Sequence, residues 1–392
     1  MPKKILFVAM PESVHTARWI SQIADQGWDL YLFPSTNGKP HADLRNITVF
    51  GSYPFRPSGL APTVKYKTWT SSYLVRDFLE NRIRHRSTRL KEIALAKVIR
   101  AIKPDLIQSL EIQHAGYLTL GAKELLPLSS FPRWVVTNWG SDISLFGRLA
   151  EHKPKIEQVL ANCDYYSAEC ERDIELARRH GFARETLPVF PNAGGYDLQR
   201  IAKLKFLAPP SQRKVIMLKG YQTWSGRALV GLSALRMCVD DLKGYEIVIY
   251  SASEDVRIAA ELFEQDTNLK VTILPQTSHE EILRNHGRAR ISIGLSISDA
   301  ISTSLLDAMV MGSYPIQSCT ACATEWIVNG KSGSIVPPEE PWELAAVIKK
   351  ALCDAHLVDS AFLINQETVK ARLDREKIKL QVVQMYQKIL GL

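Results

Sequence analysis

Two aspartates with hydroxyl side chains between them form the densest chemical signal in the sequence. Asp299 is predicted to lie at the C-terminal edge of a strand, and Asp307 lies eight positions later in a predicted helix. Ser302, Thr303 and Ser304 occupy the turn where that helix begins. Exposed backbone N–H groups and the helix dipole favour anions there, so the turn predicts a phosphate site. The carboxylates beside it can accept hydrogen bonds from sugar or ribose hydroxyls. The alternative is that Asp299 caps the helix and Asp307 lies on its solvated face.

A second loop in the same half of the chain carries cations and glycines. Lys219 and Gly220 follow a predicted strand, and Gly226 and Arg227 precede the next predicted helix. A basic, glycine-containing loop between a strand and a helix suits a diphosphate. The alternative is an exposed loop with ordinary surface cations.

Three polar clusters follow predicted strands in the first half of the chain. They are Glu12, His15 and Arg18, then Glu111 and His114, then Asn138, Gly140, Ser141 and Asp142. In open parallel sheets ligands bind beyond the carboxyl ends of the strands, so all three clusters are expected at one edge of one sheet. A single histidine is more often structural than catalytic, and both interpretations stay open for His15 and His114.

Alternating strands and helices must position these residues. Compact apolar runs alternate with amphipathic stretches along nearly the whole chain, which predicts βαβ units and parallel sheets, an α/β class. At 392 residues, two domains are expected. Pro191, Gly194 and Gly195 place the crossover, giving domains at residues 1–195 and 196–371. A helical pattern from about residue 367 to residue 392 ends the chain.

The composition is that of a globular protein with anionic partners. Hydrophobic residues make up 46% of the chain and charged residues 23%, with a net charge of +8. The six cysteines are too sparse for a disulfide framework, and the Cys319–Cys322 pair has no second ligand pair at zinc spacing. Reduced thiols and no metal are therefore expected. No run reaches the length of a membrane span and the apolar start is interpreted as a strand, so a cytoplasmic protein is predicted.

Residues 82–103 form a basic stretch beside aromatic residues. Eight Lys or Arg residues occur there against the single acid Glu92, and Tyr66, Trp69, Tyr73 and Phe78 precede them. This pattern suits peripheral contact with an anionic membrane or a lipid-diphosphate acceptor. The alternative is a solvated helix face. No nucleic-acid-binding motif accompanies the stretch, so no nucleic-acid partner is predicted.

The segment from Asp299 to Pro315 resembles the hallmark of a known family. Asp299, seven residues, Asp307-Ala308-Met309 and then Gly312-Ser313-Tyr314-Pro315 are similar to the paired acids, Ala-Met and Gly-Xaa-Pro turn of the retaining glycosyltransferases of family 4. The family usually has Glu at both acidic positions, so each side chain is one methylene shorter here. Residues 137–143, 191–197, 325–330 and 333–338 resemble further family segments. The resemblance implies the GT-B fold, with two Rossmann-like domains whose parallel sheets face across a cleft, and a final helix 372–392 that packs on the first domain.

The resemblance also implies a role for each candidate residue. Asp299 would contact the donor sugar's hydroxyls, Asp307 the ribose hydroxyls, and the backbone of residues 301–304 the sugar and diphosphate. Lys219 and Arg227 would neutralise the leaving diphosphate, although their spacing differs from the family's. Trp139 stands where the family often has His, so His114 or His15 would substitute. The predicted site is catalytic Asp299, Lys219, Arg227, His114 and Asp142, with substrate-binding Asp307, Ser302, Thr303, Ser304, Gly220, His15, Arg18 and Glu111.

The resulting prediction is a cytoplasmic glycosyltransferase at the inner face of the cell membrane. It would transfer a sugar, with retention and no cofactor, from a nucleotide-diphosphate sugar to a glycan or lipid-linked acceptor in cell-surface polysaccharide synthesis. The N-terminal domain would bind the acceptor and the C-terminal domain the donor. The resemblance implies front-face displacement assisted by the leaving diphosphate. Two alternatives stay open: a nucleotide-sugar epimerase of the same fold, and a non-catalytic sugar-nucleotide- or membrane-binding protein.

Overall fold

The computed structural model describes residues 2–51, 53, 55–68, 84–127, 131–206 and 208–392, with residues 84–88 described by their backbone alone. Within these ranges the chain divides into two compact units. The N-terminal unit is Met1–Gly194 together with Glu376–Leu392, and the C-terminal unit is Gly195–Arg375.

The N-terminal unit is built on a parallel sheet, eight-stranded among the described residues. Its strands are β1 Lys4–Ala9, β2 Asp29–Pro34, β3 Ile47–Gly51, β4 Lys65–Thr68, β5 Leu106–Leu110, β6 Arg133–Thr137, β7 Tyr165–Ser167 and β8 Glu185–Thr186. Their order is β4-β3-β2-β1-β5-β6-β7-β8, and all neighbours are parallel. Strand β1 lies inside the sheet because its sequence is a continuous apolar run, and Ile5 to Ala9 are fully buried there.

Helices cover both faces of this sheet. They are α1 Val14–Ser21, α2 Arg84–Ile102, α3 Tyr117–Glu124, the single turn α4 Ser141–Ser144, α5 Lys153–Asn162 and α6 Glu171–Arg179. Trp19 and Ile20 of α1 pack in one core with Phe7 of β1. Ile99 of α2 and Val159 of α5 pack in the core on the other face. Each amphipathic helix therefore buries its apolar side against the sheet.

The C-terminal unit contains a second parallel sheet, six-stranded among the described residues. Its strands are β9 Val215–Lys219, β10 Glu246–Tyr250, β11 Val271–Ile273, β12 Ala289–Gly294, β13 Tyr314–Ser318 and β14 Ser334–Val336. Their order is β11-β10-β9-β12-β13-β14, and all neighbours are parallel. The helices are α7 Leu198–Leu204, α8 Ala228–Arg236, α9 Glu254–Thr267, α10 His279–Arg288, α11 Thr303–Met311, α12 Pro341–Cys353 and α13 Ala355–Arg372. The predicted α/β class with two Rossmann-like, parallel-sheet domains is confirmed.

The end of the chain differs from the single helical pattern predicted for residues 367–392. Helix α13 ends at Arg372, and a separate helix, α14 Arg375–Leu390, follows. The break is stabilised by backbone pairing, because Tyr196 N–H donates to the Leu373 carbonyl (2.8 Å) and Arg375 N–H donates to the Tyr196 carbonyl (3.0 Å). Helix α14 then packs in the N-terminal unit, where Tyr386 is fully buried beside Trp19. Among the described residues, no helix is long and apolar enough to cross a membrane.

Candidate functional site

The strand order of the C-terminal unit creates a place for a ligand. From β9 the chain winds outward to β10 and β11, and it then returns to β12 on the other side of β9. Ligands of open α/β sheets bind at such a switch point, beyond the carboxyl ends of the two central strands. The two predicted loops of this half, after β9 and after β12, are the loops at that point.

The structure joins these two loops directly. Gly226 and Ser296 form an isolated antiparallel bridge. Ile297 N–H donates to the Ser225 carbonyl at 2.8 Å, and Arg227 N–H donates to the Leu295 carbonyl at 3.2 Å. A side chain at Gly226 would place its Cβ 2.0 Å from the Tyr221 carbonyl oxygen, so this close approach requires glycine.

The two cations of the first loop lie in different surroundings. Lys219 ends β9, and its ammonium lies 5.9 Å from the centre of the Tyr221 ring. Arg227 precedes α8 and donates from Nη1 to the Gly226 carbonyl (2.8 Å) and from Nε to Glu339 (2.8 Å). The arginine therefore fastens the loop to itself and to Glu339, a contact that the sequence did not predict.

Asp299 and the hydroxyl residues lie between β12 and α11. The strand ends at Gly294, so Asp299 lies in the loop beyond its C-terminal edge, where its Oδ1 accepts from Ala300 N–H at 2.9 Å. Ser302 is the residue that precedes α11, so the alternative of Asp299 as the helix cap is wrong. Ser302 and Ser304 are buried with their hydroxyls 2.7 Å apart, and Thr303 begins the helix.

Asp307 is buried on α11 and is held by two partners from distant segments. The Tyr196 hydroxyl donates to its Oδ1 at 2.7 Å, and His279 Nε2 lies 2.9 Å and 3.1 Å from its two oxygens. Burial by itself raises the pKa of the Asp307 carboxyl, but the hydrogen bond from His279, the charges of His279 and His286, and the bond from Tyr196 bring it below its ordinary value. The alternative of Asp307 as a solvated helix residue is wrong, since only 3% of it is exposed.

The three polar clusters of the N-terminal unit are also brought together. The Asp142 carboxylate accepts from the backbone N–H groups of Ile112 (3.0 Å) and Trp139 (3.1 Å), which links the segments after β5 and β6. The Trp139 ring lies 5.8 Å from the ring of His15 on α1. Arg18 lies in the last turn of the same helix. The segments after β1, β5 and β6 therefore meet through His15, Trp139 and Asp142, whereas Glu12 contacts Thr36 instead.

Glu111 is the strained centre of this group. Its φ of 80° is one that residues other than glycine rarely adopt. The conformation turns the buried carboxylate back over the following π-helical turn, where it accepts from the N–H groups of His114 (2.6 Å) and Ala115 (2.5 Å). The other oxygen lies 3.2 Å from His114 Nδ1. The strain thus fixes a carboxylate–imidazole pair whose histidine side chain is 59% exposed.

The surroundings shift the pKa values of His114 and Asp142. The hydrogen bond to Glu111 raises the pKa of His114, which outweighs the lowering by burial. Burial, with a contribution from the charge of Glu111, raises the pKa of Asp142 to about 7. Perturbed titratable groups at the carboxyl edge of a parallel sheet are typical of functional sites.

Two family models match the chain, one within each of the two units. Residues 4–165 match the family described as Glycosyl transferase 4-like, and residues 243–361 match the family described as Glycosyl transferases group 1. No curated protein matches the chain in sequence at a significant level.

Several solved structures share the whole fold. Sucrose-phosphate synthase from Thermosynechococcus elongatus is 16% identical, with 99% of each chain covered and a TM-score of 0.73. A glycosyltransferase from Rickettsia africae is 15% identical, with 99% of each chain covered and a TM-score of 0.69. HepE of Anabaena, in complex with UDP and glucose, is 15% identical, covers 98% of this chain and 100% of its own, and has a TM-score of 0.66. With a glycosyl transferase 4-like segment in one unit and a group 1 segment in the other, the chain belongs to the glycosyltransferases of the GT-B fold.

Proposed function

We propose that the protein transfers a sugar from a nucleotide-diphosphate sugar to a glycan or lipid-linked acceptor with retention of anomeric configuration. The observation that carries this proposal is the pair of joined loops at the switch point of the C-terminal unit. One loop brings Lys219 and the other brings the N-terminus of α11, and both features attract a diphosphate.

The donor is proposed to lie on the C-terminal unit. Lys219 neutralises the departing diphosphate, and Asp299 accepts hydrogen bonds from the sugar's hydroxyls. Arg227 contributes by holding the loop, because its guanidinium is already bonded to Gly226 and Glu339. The departing diphosphate assists the acceptor on the same face of the sugar, and the step uses neither a metal nor a cofactor.

The acceptor is proposed to lie on the N-terminal unit. His114 combines an exposed ring with a carboxylate partner, Glu111, that stabilises its protonated form. Such a group can hold an acceptor hydroxyl or exchange a proton with it. Asp142, whose pKa is raised to about 7, supports the backbone of the same turn.

A donor screen followed by a transfer assay tests this function. Thermal unfolding of the full chain is measured with UDP-, GDP-, ADP- and dTDP-sugars, since a ligand at 100 times its dissociation constant adds about 2.7 kcal/mol. The stabilising donor is then incubated with acceptors in EDTA, and the product's anomeric configuration is read by NMR. Transfer with retention is expected. Isomerisation of the donor without acceptor would instead identify an epimerase, and binding without turnover a non-catalytic protein.

We also propose that helix α2 brings the N-terminal unit to the cytoplasmic face of the cell membrane, near a lipid-linked acceptor. Its exposed side presents Leu90 and Ile93 together with Lys97. Apolar and basic side chains on one helix face suit an anionic lipid surface. Trp69, Tyr73, Phe78 and Arg82 of the predicted basic and aromatic stretch, and the side chains of Arg84 and Arg86, lie outside the described residues. Tyr66 is described, and its hydroxyl instead accepts from Tyr53 N–H at 2.9 Å.

A further inference from the structure

The surroundings of Asp307 leave it little direct access to a ligand. Its side chain is 4% exposed, and both carboxylate oxygens already face donors. Tyr196 binds one oxygen, and His279 lies within hydrogen-bonding distance of both. Aspartate is also short, so its oxygens stay close to the helix that carries it. A ligand therefore meets the partners of Asp307 before it meets the carboxylate.

His279 is the partner that reaches the surface. Its side chain is 32% exposed, against 4% for Asp307. It begins α10 directly after Ser278, whose side chain caps that helix by accepting from Glu281 N–H at 3.2 Å. Helix α10 follows β11, so His279 lies toward the carboxyl edge of the sheet, where the loops at the switch point also lie.

The carboxylate fixes the orientation of this ring. An ionised carboxylate only accepts hydrogen bonds, so the ring nitrogen that faces it, Nε2, carries a proton. Nδ1 then lies on the side of the ring turned away from Asp307. An aspartate that orients a histidine in this way selects which nitrogen meets a ligand.

The charge of this cluster indicates the chemistry of its ligand. A histidine and an ionised aspartate together carry a net charge of zero at most, so the pair does not attract a phosphate. The second histidine near Asp307, His286, is fully buried and bonds Ser292 through Nδ1 at 2.8 Å. Burial lowers its pKa to about 4, so it adds no positive charge at neutral pH. A neutral hydroxyl, which both donates and accepts, fits an imidazole held in this way.

We propose that His279 contacts the ribose hydroxyls of the nucleoside diphosphate and that Asp307 is a positioning residue acting through it. The inference rests on the proposed function, because it assumes that the C-terminal unit binds the nucleotide. The histidine supplies the reach that the buried aspartate lacks. Discrimination between ribose and 2′-deoxyribose then belongs to His279.

Calorimetry with paired nucleotides tests this assignment. The probe is whichever of UDP, GDP and ADP binds the full chain most tightly, compared with its 2′-deoxy analogue. The unaltered protein is expected to bind the ribonucleotide about ten- to a hundredfold more tightly, which is the ratio of dissociation constants that one hydrogen bond to a charged pair provides. His279→Ala and Asp307→Ala are each expected to reduce that preference to within about threefold, and the double variant is expected to be no worse than either.

Three further variants separate the histidine's contact from general damage. His279→Gln can still donate toward Asp307 and keeps the fold if His279→Ala proves unstable; it is also expected to lose the preference. Tyr196→Phe removes the other partner of Asp307 and should keep the preference. His356→Ala, an exposed histidine of α13, should change nothing.

The outcomes distinguish this inference from the proposed function. A full ribose preference in folded His279→Ala and His279→Gln would overturn the role of His279 while leaving nucleotide binding intact. Failure of the unaltered protein to bind any of the three nucleotides would instead overturn the proposed function, and this inference with it.

Discussion

Among the described residues of the N-terminal unit, Asp142 is a buried carboxyl that backbone amides hold. Ile112 and Trp139 donate their N–H groups to it, and these bonds lower its pKa. Burial and the charge of Glu111 raise the pKa by more, so it reaches about 7. The carboxyl is therefore poised to exchange a proton near neutrality at the stability cost of a buried acid.

This position makes the stability of the N-terminal unit depend on pH. The unfolded side chain releases its proton near pH 3.9, and the folded one near pH 7. Below about pH 4 the carboxyl is protonated in both states, and the protein has its full free energy of unfolding. That free energy falls as the pH rises toward 7, because the unfolded side chain releases its proton while the folded one keeps it. Between pH 5 and pH 8 the loss amounts to about 2–3 kcal/mol. Asp142→Asn is expected to remove most of this slope, as measured by hydrogen exchange of the β5 and β6 amides; an unchanged slope would refute the assignment. Asp43→Asn, at an exposed acid, is the control.

The two loop cations are expected to differ in what they contribute. Lys219→Ala should lower kcat by about a hundredfold or more, because a charge that stabilises the leaving diphosphate acts mainly in the transition state. Arg227→Ala should lower both kcat and the unfolding temperature, because it also removes bonds that hold the loop. Steady-state kinetics and thermal unfolding separate the two effects.

The control for these variants is Glu339→Gln, which weakens the partner of Arg227 and leaves the cation. It should leave kcat within about threefold of the unaltered protein. Normal turnover in the Lys219→Ala, Arg227→Ala double variant would mean that the loop is only a surface feature.

At the scale of single elements, the last helix completes the N-terminal core. Tyr386 of α14 accepts a hydrogen bond from Trp19 Nε1 at 2.9 Å and donates to Gln108 Oε1. All three side chains are buried, and Trp19 belongs to α1 and Gln108 to β5. One hydroxyl therefore connects the end of the chain to its first helix and to a central strand.

Tyr386→Phe should destabilise the protein without changing its shape. Removing the hydroxyl leaves the indole N–H and the amide oxygen buried without this partner, which costs about 1–3 kcal/mol. Thermal or urea unfolding of the N-terminal unit measures the loss. Tyr221→Phe, at a 41% exposed tyrosine, should stay within about 0.5 kcal/mol of the unaltered protein. An equally stable Tyr386→Phe variant would show that the bond contributes nothing.

At the scale of the whole molecule, the net charge of +8 favours anionic surfaces. Not all of the predicted basic stretch is available for this purpose. Arg89 pairs with Glu92 at 3.0 Å, and Arg100 donates to the Leu125 carbonyl at 2.9 Å. Lys97, beside the exposed Ile93, is the residue through which the proposed docking of α2 is tested.

Liposome flotation tests that docking. Binding is expected on anionic vesicles at low salt and should fall at high salt and on neutral vesicles, because each basic residue near the surface contributes about 1 kcal/mol that salt screens. Lys97→Glu should weaken binding, whereas Lys349→Glu, a matched reversal on the C-terminal unit, should weaken it less. Equal recovery under all lipid and salt conditions would mean that the helix face is merely solvated.

The regular elements were largely predictable because their signals are local. Buried runs such as residues 4–9 and 289–294 are continuous and apolar, which is typical of parallel strands covered on both faces. Strand β4, Lys65–Thr68, escaped prediction because its sequence is polar and its side chains are mostly exposed. The terminal helical pattern breaks at Leu373 and Asp374, where the sequence has no glycine or proline to predict a break. The break depends instead on backbone pairing with Tyr196.

The sequence by itself determined the two parallel-sheet domains and which strand ends carry acids, cations and histidines, because hydrophobic period and turn composition are written within a few residues. Only the tertiary structure decided which of those groups meet. His279 and Asp307 are 28 positions apart, Tyr196 and Asp307 are 111 apart, and Arg227 and Glu339 are 112 apart. No local pattern encodes such pairs, since they form when separate strands and helices pack side by side. For that reason the histidine in front of the buried aspartate became visible only in the folded chain.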